Sequence, residues 1–171
     1  ARVLARMGLS FDAWLYFPQL PELAEFARAI PGLTIILNHI GGMLRVGPYD
    51  NRDEEVLPTW RQGIAAVAQY PNVYVKLGGI GQPRTGYDWS ARDVPIGSEE
   101  LAGVMAPYMN YCIEQFGPNR CMFESNFPPD KVGHSYNVLF NAFKRLSKGY
   151  SASERADMFH DTAVRAYRVE Y

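Results

Sequence analysis

The chain has 171 residues, 47% hydrophobic and 20% charged, and its seventeen basic and eighteen acidic side chains leave a net charge of -1. That composition fits one globular domain, residues 1–171, and excludes a largely disordered chain. The charge balance gives no support to nucleic-acid or membrane-surface partners. No run approaches a membrane span and no signal peptide is visible. Cys112 and Cys121 read as small core residues in a reducing compartment, so a cytoplasmic location is expected. The chain starts at Ala1 without an initiator Met, which leads us to expect a processed or truncated piece.

Residues 9–16 (LSFDAWLY) have strand character and are punctuated by Pro18 and Pro21. PELAEFARAI then carries Leu23, Phe26, Ala27 and Ile30 at helical spacing, ended by Pro31-Gly32. LTIILNHIGG is a second strand closing on a glycine pair. A long loop follows, with an acidic cluster at 53–55 that reads as a solvated helix start. LPTWRQGIAAVAQY predicts a helix with Pro58 near its first turn. NVYVKLGGIG is the third strand. A connection rich in Gly, Pro and Asp leads to the helix SEELAGVMAPYMNYCIEQFG, in which Pro107 predicts a kink. RCMFES is the fourth strand. Two helices, 135–148 and 151–167, finish the chain, the second opened by a Ser151–Glu154 capping box.

Alternating strands and helices with near-continuous apolar strands predict an α/β fold: a parallel sheet covered by helices. Four βα units fit either a small doubly wound sheet or half of a (β/α)8 barrel. The first strand lacks the glycine-rich phosphate loop of nucleotide-binding sheets, which disfavours that version. Polar groups recur where the strands end: Asp12, Tyr16 and Gln19; Asn38 and His39; Lys76; Glu124 and Asn126. The carboxyl ends of parallel strands share one face, so these residues are expected to converge. His39, beside Gly41 and Gly42, suits metal ligation, carbonyl polarisation or proton transfer. Glu124 and Asp130 are candidate general bases, while Asn126 is limited to orienting substrate or water. Lys76 and Arg84 are candidate carboxylate binders. His134 either reaches the site from its loop or lies on the surface, and His160 reads as structural. No histidine pair at metal spacing is present, so the residues alone do not establish a metal.

The order QLPELAEFA, IILNHIGG, VYVKLGG, RCMFESNFPPDK and FHDTAVRAYR resembles the amidohydrolase superfamily over nearly the whole chain. It is most similar to the amidohydrolase-2 group of predicted metal-dependent TIM-barrel hydrolases, which includes sugar lactonases and a pyrone-dicarboxylate lactonase. The resemblance implies a distorted (β/α)8 barrel of which this chain is about the second half. The remainder would lie on a longer precursor, another chain or a homo-oligomeric partner. His39 matches the histidine after the family's fifth strand, a metal ligand or carbonyl polariser, and Lys76 matches a lysine of its sixth. Asn126 stands where the family's Gly-Ser-Asp-Trp-Pro segment has its catalytic aspartate. That departure counts against both the divalent metal (zinc or manganese, with His39 as ligand) and the usual base. We therefore expect a hydrolase of a small, anionic lactone or related carbonyl compound. His39, Glu124, Asn126 and Asp130 would form its catalytic set, and Asp12, Tyr16, Gln19, Lys76 and Arg84 would contact substrate. A decarboxylase on the same scaffold and a non-catalytic small-molecule binder are the alternatives.

Overall fold

Short, mostly apolar runs suit the strands of a helix-covered parallel sheet. In the computed structural model, which describes residues 1–170, those runs become β1 (Ser10–Ala13), β2 (Thr34–Leu37), β3 (Val73–Leu77) and β4 (Cys121–Phe123). They form one parallel sheet in the order β1-β2-β3-β4. The register sets Asp12 beside Ile36, Ile36 beside Tyr74, and Lys76 beside Met122. Because side chains alternate, these residues share one face, and Ile35, Leu37, Val73, Val75, Leu77 and Cys121 share the other.

The helical elements are α1 (Arg2–Arg6), α2 (Leu20–Ala29), a short turn α3 (His39–Gly42), α4 (Asp53–Ala68), α5 (Ser98–Phe116), α6 (Tyr136–Leu146), α7 (Ala152–Ala156) and α8 (Thr162–Tyr167). Leu20, Leu23 and Ala27 of α2, Trp60 and Ile64 of α4, and Met105, Met109 and Cys112 of α5 bury the second sheet face. Each fully buried large apolar side chain contributes roughly 1.5–3 kcal/mol. The first face is covered differently: Ile36 and Met122 meet Ala166, with Tyr74, Ala163 and Tyr167 packed around them.

Several boundaries differ from the sequence reading. β1 and β2 stop at Ala13 and Leu37, short of 16 and 42. Phe17–Gln19 forms a 3-10 turn, and His39, Ile40, Gly41 and Gly42 all have positive φ, which cannot continue a strand. α4 begins at Asp53, four residues before Leu57. The acidic cluster is its exposed first turn, where carboxylates complement the helix dipole, and Pro58 falls inside the helix. The final helix starts on the expected Ser151–Glu154 capping box, but a five-residue π segment, Asp157–Asp161, separates α7 from α8.

The two ends of the sheet are built differently. At the amino ends, the Arg120 guanidinium donates to the carbonyls of Ala68, Tyr70, Val73 and Phe116. Nearby, the Asn72 amide donates to those of Ala27, Ile30 and Leu33. These bonds tie the carboxyl ends of α2, α4 and α5 to the amino ends of the strands. The carboxyl ends gather titratable groups instead. β1 has an open edge, along which Leu9, Phe11 and Trp14 are exposed. A groove of about 300 Å³ runs there, lined by Phe11, Ala13, Trp14 and Leu23 among others.

Candidate active site

His39 and Glu124 leave adjacent regions of the sheet at its carboxyl ends, β2 and β4 flanking β3. One carboxylate oxygen, Glu124 Oε1, accepts from both the His39 backbone N–H (3.1 Å) and Nδ1 (2.5 Å). Both side chains are mostly buried, at 12% and 15% exposure. An ionised carboxylate only accepts, so Nδ1 carries a proton here, and in the neutral ring this leaves the lone pair on Nε2. The same arrangement orients metal-ligating histidines in other proteins.

Local backbone geometry sets this pair. A Cβ on Gly42 would lie 1.9 Å from the Leu15 carbonyl oxygen, so only glycine lets α3 turn this close to the exit of β1. The Trp60 indole N–H donates to the Ile40 carbonyl at 2.7 Å and pins the turn from α4. From the other side, a Cβ on Gly79 (φ +75°) would sit 2.5–2.6 Å from the Cβ, Cγ and Nδ1 of His39. Replacing Gly79 with Ala is therefore expected to cost about 1–3 kcal/mol from the left-handed backbone alone. It should also push His39 off Glu124, which chemical denaturation and the His39 ring NMR signals together would register.

Asp130 is almost fully buried, at 2% exposure. Its oxygens accept from the Gly81 N–H (3.0 Å), the Gln82 amide (2.9 Å) and the Asn126 amide (2.7 Å). Asn126, with positive φ, also accepts the Asp130 N–H on its carbonyl. Gln82 Oε1 in turn accepts from the Arg84 guanidinium, whose carbon lies 5.9 Å from the Trp14 ring centre. Asp130 thus ties the loop after β4 to the loop after β3, and Arg84 hangs from the end of that chain.

Lys76 donates to Asp12 at 2.7 Å, and the Tyr167 hydroxyl donates to the same Asp12 oxygen at 2.7 Å. Burial works against the Lys76 charge, but Asp12 and Tyr167 outweigh it and the lysine pKa is raised. Burial, then Asp12, pushes the Tyr167 phenol up to about 12. Lys76 is thus paired within the sheet face, on which Tyr167 closes. Gln19 accepts the Tyr16 N–H at 3.1 Å, and the Tyr16 ring meets Trp14 edge-on. The sequence-predicted residues therefore form four local groups: His39 with Glu124; Asp130 with Asn126, joined through Gln82 to Arg84; Asp12 with Lys76; and Tyr16 with Gln19. Trp14 and Gln82 were missed: both lie past the ends of their strands, where alternation no longer reports which way a side chain turns.

His160 is exposed in the π segment beside Asp161, 2.7 Å from its carboxylate. His134 is buried, at 5% exposure, near Gly81, Asp130 and the Trp89 ring, and neither ring nitrogen has a hydrogen-bond partner among the described residues. Burial lowers its pKa against the opposing pull of Asp130. The folded chain then binds fewer protons than the unfolded one between the lowered value and the ordinary value of about 6.5. Stability is expected to fall as pH drops through that window, and His134→Phe should flatten the slope, as urea midpoints measured between about pH 7.5 and 5 would record.

Among the described residues no three His, Cys, Asp or Glu side chains gather closely enough to hold a metal ion. Nε2 of His39 could supply one ligand, but these residues do not complete a cage.

A relative from Sinorhizobium fredii, the protein y4mH, is 40% identical over 97% of this chain and 49% of its own length. An L-fucono-1,5-lactonase of Burkholderia multivorans is 27% identical over 93% of the chain and 51% of its own length. The crystal structure of a Burkholderia multivorans amidohydrolase with bound zinc superposes with a TM-score of 0.82 at 24% identity, covering 98% of this chain and 55% of that one. The chain spans about half the length of the curated relatives it matches. Its parallel sheet and covering helices are about half of a (β/α)8 barrel, as the sequence led us to expect. An amidohydrolase family model matches residues 1–169, and the chain belongs to the amidohydrolase family.

Proposed function

We propose that this chain supplies the proton-transfer half of an active site that hydrolyses a lactone. The observation that carries the reading is the His39–Glu124 pair at the carboxyl ends of β2 and β4. With Nδ1–H given to Glu124, Nε2 accepts a proton from water as that water attacks the lactone carbonyl. Glu124 then faces an imidazolium and stabilises it. The ring C–O bond breaks, the imidazolium returns its proton to the departing oxygen, and the product is a hydroxy acid. The family relationship and the zinc-bound neighbour support a divalent metal in the assembled protein. The described residues do not form its cage, so no step here passes through it.

The substrate's acidic group goes to Arg84 in this reading. The Arg84 guanidinium has only Gln82 as a hydrogen-bond partner among the described residues, whereas Lys76 is neutralised by Asp12. Asp130, saturated by three donors, serves as an anchor, and Asn126 holds it in place. The open β1 edge and its exposed Leu9 and Phe11 support a further part of the barrel, on the same or another chain, covering this edge. The buried, unpaired thiols of Cys112 and Cys121 are consistent with a reducing, cytoplasmic setting. No helix among the described residues is long and apolar enough to cross a membrane.

The test uses the assembled protein with a panel of five- and six-membered sugar lactones and pyrone carboxylates, following acid release at constant pH. Ring opening well above the spontaneous rate, lost in His39→Ala, is the expected result. Carbon dioxide release without ring opening would replace this reading with a decarboxylase. Saturable binding with neither reaction would replace it with a binder.

A further inference from the structure

Trp14 is the large side chain at the exit of β1 whose role the proton chemistry leaves open. It is 54% exposed and follows Ala13, the last residue of β1, directly. β1 and β3 flank β2, and Arg84, from the loop after β3, places its guanidinium over the Trp14 ring. The two side chains therefore meet across the exit of β2, which carries Asn38 and His39. The Asn38 N–H donates to the Ala13 carbonyl at 3.0 Å, fixing Asn38 beside Trp14.

Two buried polar atoms in this small region have no hydrogen-bond partner among the described residues: Asn38 Oδ1, an acceptor, and Arg84 Nε, a donor. Buried polar groups are rarely left unmet, and a persistent exception calls for a specific reason. A hydroxyl both donates and accepts, so a hydroxylated ligand complements the pair. The exposed indole face suits the C–H face of a saturated ring, with the guanidinium holding the indole in place.

We propose that Trp14, Asn38 and Arg84 form a ring-holding subsite that arches over His39, with Trp14 as the specificity-determining platform. Hydroxylated, non-aromatic rings lie on Trp14, and a ring hydroxyl bridges Asn38 Oδ1 and Arg84 Nε. The kinetic consequence rests on the ring-opening reading above, but the binding consequence does not.

The experiment compares Trp14→Ala, Trp14→Leu and Trp14→Phe in the assembled protein. With a hydroxylated six-membered lactone, Ala and Leu should raise KM about 10-fold or more while kcat stays within about 3-fold, and Phe should stay close to the native KM. Asn38→Ala should reduce the preference for the hydroxylated lactone over unsubstituted δ-valerolactone. In parallel, binding of the matching hydroxylated six-membered lactam, which keeps the ring and resists opening, to His39→Ala is followed by indole fluorescence, and the quenching should vanish when Trp14 is replaced by Phe. If no lactone opens but Trp14-dependent quenching persists, the hydrolytic reading falls and the subsite stands. Lactones opened with native KM by Trp14→Ala would sink the subsite and leave hydrolysis intact. Melting points lowered by more than about 10 °C in both Ala and Leu variants would place Trp14 in the fold and also overturn the subsite.

Discussion

Replacing His39 with Ala is expected to lower kcat/KM for lactone opening by about 10²–10⁴-fold, the range of a lost general acid–base group. Glu124→Gln should cost less, about 10–100-fold, as expected of a carboxylate acting through the histidine it orients. The ranking follows from the shared oxygen. Glu124 Oε1 already accepts two N–H groups of His39, one from the backbone and one from the ring. An oxygen engaged in this way holds the ring and selects its tautomer, and Nε2 is left to meet water. A Gln side chain can still accept from Nδ1, but its NH2 can also rotate toward the ring and favour the other tautomer. Asn126→Ala should change the rate by less than about 10-fold, because its amide donates to Asp130 and touches the reaction only through the loop. Steady-state kinetics of the three variants check the order. A Glu124→Gln defect larger than that of His39→Ala would make Glu124 itself the base.

The sheet was legible in the chain because its strands bury both faces, so IIL, VYV and CMF announce themselves without help from distant residues. The convergence of strand ends was legible for the same reason: a parallel sheet forces it. Contacts between loops were not legible. Glu124 meets His39 across 85 positions, and which oxygen meets which nitrogen depends on four consecutive left-handed residues that NHIGG only hints at. Lys76 read equally well as a free cation or a paired one. The deciding partner, Asp12, lies two strands away, with Tyr167 from the far end of the chain beside it. Asp130 looked like a loop carboxylate because sequence carries no sign of its burial. Local signals placed the start of α7 correctly, since Ser151 and Glu154 satisfy each other within one turn. They did not foresee the π segment after it, which sits where this part of the chain packs against β4.

Asp130 yields the largest expected stability effect. Removing its carboxylate in Asp130→Ala leaves three donors without their acceptor: the Gly81 N–H, the Gln82 amide and the Asn126 amide. An unmet buried donor costs about 1–3 kcal/mol. The Gly81 N–H, in a buried residue, should bear the full penalty, while the half-buried Gln82 and Asn126 can partly turn to water. A loss of about 3–5 kcal/mol in denaturant unfolding is therefore expected. Asp130→Asn should fall between this and the native protein, because one acceptor oxygen is kept while an NH2 is turned toward a donor. Asn126→Asp tests the same contact from the other side. The acid would restore the residue typical of the family, yet it would set two carboxylates at the position now occupied by a 2.7 Å amide–carboxylate bond. Like charges there should destabilise the loop at neutral pH, and acidification should relieve the penalty as one carboxyl takes up a proton. If instead Asp130→Ala unfolds within about 1 kcal/mol of the native protein while losing more than about 100-fold in rate, Asp130 is the base and not an anchor.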